Sequence, residues 1–319
     1  MKKINAKTIS FVAVFMSIST IMLLLGIRFF PLAILPNLRF SIIGLPIKIT
    51  GFIFGPIIGF LTGFLSDLIS FQFVPSTYSI YYTIALSITG FIPGVISWIF
   101  FNFIKVQLND NYIQKKIKIK LEEYSLQLEK FILSLESLSA TDNKRKKIDK
   151  KIKFISWKIN RLNKETREKT LLTSMLIFCW IVIILVATIV CTIVFLSPDE
   201  TFKNSKFIKN KISFLILMLS GNGTMLIFIT VARFLKFFKE KERFVTMVPI
   251  IAFSAILEPV ASVILSLGDV QSATFPTFEV ALISHFLISP IKIWINLFVI
   301  YLTSLVILPI VKNKNKNHY

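Results

Sequence analysis

Hydrophobic residues form eight long runs along the chain, and one long polar segment separates the first four runs from the last four. The runs are Lys7–Gly26, Ile42–Phe54, Pro56–Phe71, Ser79–Ile104, Leu171–Leu196, Ile212–Phe234, Val245–Leu267 and Ala281–Val311. A helix needs about 20 apolar residues to cross the roughly 30 Å hydrocarbon layer of a bilayer. Only helices and closed β-barrels satisfy all their backbone hydrogen bonds in lipid. The runs lack the alternation of apolar and polar residues that barrel strands show, so they are expected to be helices. We therefore predict an all-α polytopic membrane protein.

The second and third runs are short for a complete span, and the pair Gly55-Pro56 between them is a strong turn signal. We expect two tilted or partly re-entrant helices that meet at this turn. Lys2 and Lys3 precede the first run as in a signal peptide, but no cleavage site of the usual type follows. We interpret the first run as a retained helix that enters from the cytoplasm.

The polar segment, residues 107–169, contains neither glycine nor proline. Apolar residues recur in it at spacings of three and four, in one series from Ile113 to Leu138 and another from Ile148 to Leu162. The stretch Ala140–Asn143 between the two series offers a turn and a helix N-cap. The pattern predicts an antiparallel coiled-coil hairpin.

Charge adds an orientation to this picture. Hydrophobic residues make up 54% of the chain and charged residues 17%, below the roughly 25% of soluble proteins. The net charge is +20, and 18 of the 37 Lys and Arg residues lie between Lys105 and Lys169. Cytoplasmic loops collect such residues, so we expect the segment around Asp269 and Glu279, which has neither, to be an outer loop. We expect the partner of the positive charge to be the bilayer and not nucleic acid, in a multi-pass plasma-membrane protein with both termini in the cytoplasm.

Catalytic motifs are missing from the sequence. It has no phosphate-binding G-x-x-x-x-G-K-[ST], no H-E-x-x-H and no G-x-S-x-G. Cys179 and Cys191 are twelve residues apart in one apolar run, a spacing typical of neither a metal site nor a disulfide framework. We predict that the chain is not an enzyme, that it holds no metal or cofactor, and that both cysteines pack as small hydrophobic residues.

Ionisable residues inside apolar runs are costly and usually functional in membrane proteins. Lys48, Asp67, Glu258 and Lys292 are of this kind, and Arg39 comes just before the second run. One interpretation is a polar pocket open to the outside. The alternative is structural: Glu258 pairs with Lys292, or the two lysines extend toward the membrane surface.

Polar and small residues mark two further surfaces. Tyr78, Tyr81, Tyr82 and Thr83 open the fourth run, either as interfacial anchors or as rings that stack on a flat ligand. Small residues three and four apart let helices approach closely in lipid. They occur as glycine pairs in the second to fourth runs, and as Ser10, Ala13 and Ser17 in the first, where they pack within the chain or dock a partner subunit.

The stretch from Asn37 to Phe101 carries an ordered set of short motifs. They are Arg39-Phe40-Ser41, Leu45-Pro46-Ile47, Phe54-Gly55-Pro56, Ser66-Asp67-Leu68 and Tyr82-Thr83, with spaced glycines between them. Their order and spacing resemble those of the folate family of S components of energy-coupling factor (ECF) vitamin transporters. The end of the chain, from Pro290 to Lys312, is similar to the last helix of that family.

The resemblance implies a substrate-binding S subunit that takes up folate or a related vitamin. In that family a six-helix S component binds the vitamin from outside and docks, through small residues of its first helix, onto a transmembrane coupling subunit that carries two ATPases. Ala13 and Ser17 lie where that docking motif is expected. The resemblance places Arg39, Asp67 and residues 78–83 in the region of the vitamin pocket, to which we add Glu258 and Lys292 as candidates.

These inferences predict four parts of the chain. They are residues 1–104 as the first half of the six-helix core, 105–170 as a cytoplasmic coiled-coil hairpin, 171–243 as two inserted transmembrane helices, and 244–319 as the last two core helices with a basic tail. Two other functions stay open: a membrane scaffold that acts through the hairpin, and an intramembrane enzyme that uses Asp67 and Glu258.

Overall fold

A computed structural model describes residues 6–29, 43–73, 78–104, 113–136, 143–161, 167–196, 210–235 and 241–313. Within these ranges the chain is helical and forms no strand. The helices are α1 (Ala6–Phe29), α2 (Leu45–Phe54), α3 (Pro56–Gln72), α4 (Ile80–Ile99, continued by a π-helical turn, Phe100–Ile104), α5 (Ile113–Glu136), α6 (Asn143–Arg161), α7 (Arg167–Leu196), α8 (Lys211–Phe234), α9 (Lys241–Gln271) and α10 (Phe278–Asn313). The chain divides into a larger unit, residues 1–100 with 178–319, and a smaller unit, residues 101–177.

Five described helices are long and apolar enough to cross a membrane. They contain the segments Ile80–Ile104, Leu171–Leu196, Lys211–Phe234, Glu242–Gln271 and Phe278–Ile310. The segments Ile9–Met22, Leu45–Phe54 and Pro56–Gln72 are shorter apolar helices. Many large apolar side chains on these helices are exposed, Leu196 and Phe298 among them, as lipid-facing residues of a membrane protein would be. The prediction of an all-α, multi-pass membrane protein is confirmed at this level.

Glycines determine how α2, α3 and α4 pack. Gly55 has φ of +104°, a conformation that other residues rarely adopt, and Pro56 begins α3 directly after it, so the predicted turn is confirmed. Gly51, Gly59 and Gly90 then meet where the three helices are in contact. A β-carbon on any of them would overlap the backbone of another helix. The prediction that small residues allow close approach is confirmed here.

The long helices α9 and α10 pack against each other, and both contact the α2–α4 group. Pro249 and Pro259 lie inside α9, and Pro290 and Pro309 lie inside α10. Both helices extend beyond the apolar runs that predicted them. The loop predicted around Asp269 and Glu279 is therefore limited to residues 272–277, and its position on the outer side stays a prediction. Asp269 belongs to the last part of α9 and is 2% exposed, because buried partners compensate for the cost of its charge.

Helix α8 packs against α10 and also contacts α9, and α7 joins α8 and α10 in an apolar cluster. Val186, Val190 and Val194 of α7 form an apolar cluster with Phe214 of α8 and Phe286 of α10. The indole of Trp180 also donates a hydrogen bond to Thr230 at 3.2 Å. Cys179 and Cys191 are free thiols in α7, as predicted.

The smaller unit contains α5 and α6, which pack against each other. The ammonium group of Lys151 lies 5.3 Å from the centre of the Phe131 ring, and that of Lys158 lies 5.2 Å from the Tyr124 ring. The lysine that comes later in α6 contacts the ring that comes earlier in α5, so the two helices are antiparallel. Coiled-coil packing in the strict sense stays a prediction, and residues 140–142 of the predicted turn lie outside the described residues.

Candidate functional site

A cluster of charged side chains is buried within the larger unit. Its ionisable members are Lys48 on α2, Glu258 and Asp269 on α9, and His285 and Lys292 on α10. None of the five is more than 6% exposed. The formal charges of the two lysines and the two carboxylates cancel, which reduces the cost of removing them from water. We call these five residues, with Tyr82 and Asn296, the buried polar cluster.

Asn296 connects Lys48 to Glu258. The Lys48 ammonium donates to Asn296 Oδ1 at 3.0 Å, and Asn296 Nδ2 donates to Glu258 Oε1 at 3.3 Å. The Ser289 hydroxyl makes a longer contact, 3.5 Å, with Glu258 Oε2. The Asn296 amide can bridge Lys48 and Glu258 because it offers an acceptor oxygen and a donor N–H at once. This branch of the cluster therefore joins α2, α9 and α10 through one neutral side chain.

His285 connects Lys292 to Asp269 in the second branch. His285 Nε2 lies 2.8 Å from Asp269 Oδ2, and His285 Nδ1 lies 3.5 Å from the Lys292 ammonium. A neutral imidazole with its proton on Nε2 satisfies both contacts, because it donates to the carboxylate and accepts from the ammonium. The Tyr82 hydroxyl donates to Asp269 Oδ1 at 2.8 Å and so adds α4 to the cluster.

The two branches are also linked by charge. Lys292 interacts electrostatically with both Glu258 and Asp269, and Lys48 interacts with Glu258. The alternative in which Lys48 and Lys292 extend toward the membrane surface is therefore wrong for this structure, since each is 3% exposed and points into the protein. Direct pairing of Glu258 with Lys292 is replaced by a network in which Asn296 and His285 carry the hydrogen bonds.

A small void lies against the carboxylate of Glu258. Its volume, about 10 Å³, is at the lower limit of what a cavity needs to hold one water molecule, and Asn222, Ser289 and Phe286 are among its lining residues. Asn222 is 5% exposed, and its Oδ1 has no hydrogen-bond partner among the described residues. The void is therefore lined by the polar residues Asn222, Glu258 and Ser289 together with apolar residues.

Asp67 belongs to a separate group near the start of α4. Its carboxylate accepts a hydrogen bond from Thr83 at 2.5 Å, and the Thr83 hydroxyl lies 2.7 Å from that of Tyr78. Tyr78 is 39% exposed and packs edge-on against Phe71, with the ring centres 5.0 Å apart. Tyr81 is half-buried beside Gly268. The tyrosines therefore have different surroundings and do not form a single aromatic stack.

The predicted site residues are thus placed in three ways. Glu258, Lys292 and Tyr82 join the buried polar cluster, and Asp67, Tyr78 and Thr83 form their own group. Ser10, Ala13 and Ser17 are all exposed on α1, and Arg39 lies outside the described residues. Asp67 and Glu258, the pair required by an intramembrane enzyme, have different hydrogen-bond partners.

Sequence reasoning missed Asp269, His285 and Asn296. A signal for them was present in α10, where His285, Ser289, Lys292 and Asn296 are spaced by four, three and four residues. This spacing places them on one face of a helix. A similar polar stripe runs along α9 at positions 254, 258, 262, 266 and 269. Two polar stripes on apolar helices predict that the helices face each other through these stripes.

Comparison with known proteins gives no match: no protein-family model, curated protein or solved structure is significantly similar to the chain.

Proposed function

We propose that this chain is the substrate-binding S subunit of an ECF-type vitamin uptake transporter. The observation that carries the proposal is the buried polar cluster, which joins α2, α4, α9 and α10 inside an apolar helical protein. Ionisable groups in membrane helices are rare and commonly mark substrate or ion pathways, because burying charge is costly. The order of motifs between Asn37 and Phe101 supports the same proposal.

The chemistry of the cluster fits a solute that carries both hydrogen-bonding and acidic groups. Lysine ammonium groups attract a carboxylate, whereas Glu258 and Asp269 accept hydrogen bonds from amino or ring N–H groups. Buried serine hydroxyls on α9, those of Ser254 and Ser262, have no hydrogen-bond partner among the described residues and add further polar contacts. A folate has a pterin that needs such acceptors and a glutamate that needs cations, so folate or a related vitamin is the substrate that we propose.

The exposed small residues of α1 supply the second part of the proposal. Ser10, Ala13 and Ser17 have no bulky side chain, and all three are exposed on the described part of α1. A partner helix can approach such a surface closely. The proposed partners are a transmembrane coupling subunit and two ATPases, in the plasma membrane, with both termini of this chain in the cytoplasm.

Ligand binding to the purified protein in detergent tests the proposal. The Trp294 ring lies on α10 two residues from Lys292 and contacts Phe228, so its fluorescence can report binding nearby. Folates should be titrated first, followed by riboflavin, thiamine, biotin, pantothenate and nicotinate. Saturable binding of one vitamin, at nanomolar to low micromolar concentration, is the expected result.

Single substitutions connect that binding to the cluster. Loss of one hydrogen bond to a charged group costs about 1.5–3 kcal/mol, so Lys292→Gln should weaken binding roughly 10- to 100-fold. Arg39→Gln and Asp67→Asn test the residues that the resemblance places in the pocket. Lys118→Gln makes the same chemical change at an exposed position of α5 and should leave affinity unchanged. Absence of binding by any vitamin in folded protein would contradict the proposal and favour the scaffold.

A further inference from the structure

Almost all charged residues of α6 are basic. Its sequence, NKRKKIDKKIKFISWKINR, contains nine Lys and Arg residues and one Asp, which gives a net charge of +8. Its neighbour α5 contains five Lys and four Glu residues, which gives +1. The positive charge of this helix pair is therefore concentrated on α6, and α5 has too little negative charge to neutralise it.

One exposed face of α6 combines lysines with aromatic rings. Lys147, Lys150, Phe154 and Trp157 are spaced by three, four and three residues, which places them along one side of the helix. Phe154 is 56% exposed and Trp157 is 52% exposed, and their rings stack with centres 6.1 Å apart. We call these four residues the basic-aromatic stripe. Ile155, the residue after Phe154, is buried, and the Lys158 ammonium lies 5.2 Å from the Phe154 ring and 5.2 Å from the Tyr124 ring of α5.

This composition is matched to an anionic bilayer surface. Tryptophan is enriched at the level of the lipid head groups, and each lysine near an anionic surface strengthens binding about fivefold. Contact with water alone accounts for the exposed lysines but not for the two large exposed rings on the same face. A basic helix with aromatic residues on its outer face is typical of segments that lie on membrane surfaces.

Chain connectivity keeps α6 within reach of the bilayer. Helix α6 ends at Arg161, and the apolar part of α7 begins at Leu171, ten positions later. Even a fully extended chain of that length spans at most about 35 Å. The stripe is thus held at a high effective concentration near lipid, so weak attractions suffice to place it on the surface.

We propose that the basic-aromatic stripe of α6 binds the head groups of anionic lipids. The contact fixes the α5–α6 pair on the bilayer surface, with the Trp157 ring at head-group level and the lysines beside lipid phosphates. This proposed lipid contact does not depend on which solute the protein binds.

Fluorescence of Trp157 in the full chain tests this proposal. The variant with Trp98→Phe, Trp180→Phe and Trp294→Phe leaves Trp157 as the only tryptophan of the chain. It is reconstituted into bilayers of phosphatidylcholine alone, or of phosphatidylcholine with an equal part of phosphatidylglycerol. Bromine atoms on the phosphatidylcholine acyl chains quench a ring that enters the bilayer. We expect blue-shifted emission and quenching in the anionic bilayer, and loss of both at high salt.

Matched charge variants separate the stripe from general attraction. Lys147→Gln with Lys150→Gln should reduce quenching, since each lysine changes the equilibrium constant for surface binding by about fivefold. Lys118→Gln with Lys120→Gln removes the same charge from exposed positions of α5 and should leave quenching unchanged. Equal effects of the two pairs, or equal quenching in both bilayers, would overturn the proposal.

Two further measurements keep the test decisive. If the single-tryptophan variant does not fold, amide hydrogen exchange of residues 148–159 in the unmodified chain should be slower in the anionic bilayer, and equal rates would overturn the proposal. A short RNA duplex is added to the protein in neutral bilayers. A shift of Trp157 emission by RNA, without a difference between the two bilayers, would assign the stripe to nucleic acid instead.

Discussion

The packing of α2, α3 and α4 gives the sharpest prediction about stability, through the substitution Gly90→Ala. A β-carbon on Gly90 would overlap the backbone carbonyl oxygen of Gly59, and it would lie 2.9 Å from Cγ2 of Ile47. The Ile47 side chain can rotate away. The carbonyl of Gly59 cannot, because it belongs to the helical backbone of α3.

The size of the effect follows from what has to move. Extra carbon in a packed interior costs about 1–3 kcal/mol, and a backbone obstacle places this substitution at the upper end, near 3 kcal/mol. Alanine also favours a helix over glycine by about 1 kcal/mol. Gly223→Ala in α8 provides the control, because a β-carbon there meets no atom within 4 Å. Both variants gain the same helix propensity, so the difference between them is the steric cost.

The assay is reversible unfolding by SDS in mixed micelles, followed by tryptophan fluorescence. We expect Gly90→Ala to lower the free energy of unfolding relative to Gly223→Ala by about 3 kcal/mol, and Gly223→Ala to be neutral or slightly stabilising. If Gly90→Ala unfolds at the same or a higher SDS concentration than Gly223→Ala, the close contact of α3 and α4 at Gly59 is refuted.

Two other predictions concern the cluster and α1. Asp269→Ala removes the buried carboxylate that Tyr82 and His285 contact. This variant should lower the free energy of unfolding by about 3–5 kcal/mol. Glu242→Ala removes an exposed carboxylate near the start of α9 and should change the free energy of unfolding by less than about 0.5 kcal/mol. Equal stability of the two variants in the same SDS titration would contradict the buried contacts of Asp269 with Tyr82 and His285. Ala13→Leu should weaken the association with the proposed coupling subunit by about 1–3 kcal/mol, measured by copurification, and should leave vitamin affinity unchanged. Unaltered copurification, or the same loss from Ser213→Leu on an exposed face of α8, would exclude α1 as the docking helix.

Helix positions were largely predictable because lipid solubility imposes long apolar runs. Each of the eight runs corresponds to a helix, and Gly55-Pro56 is the break between α2 and α3. The ends of α9 and α10 were less predictable. The apolar run of α9 ended at Leu267, before Asp269, whereas the helix continues to Gln271 because Asp269 finds its partners inside the protein.

The site was predictable in part. Glu258 and Lys292 stand out in the sequence because a charge in an apolar run has no ordinary explanation. His285 and Asn296 could have been found from their helical spacing to Lys292 on α10. The sequence contains no comparable signal for the contact between Lys48 and Asn296, which are 248 residues apart.

The sequence by itself determined that this is a helical membrane protein with a basic polar segment in its middle, because composition and periodicity act locally along the chain. Only the tertiary structure decided which buried charges neutralise each other. Lys48 could have paired with either carboxylate of α9, and its amide partner on α10 depends on how α2, α9 and α10 are arranged. Electrostatic pairing depends on distance in space, and that distance is fixed by helix packing, in part by the three glycines that bring α2, α3 and α4 together.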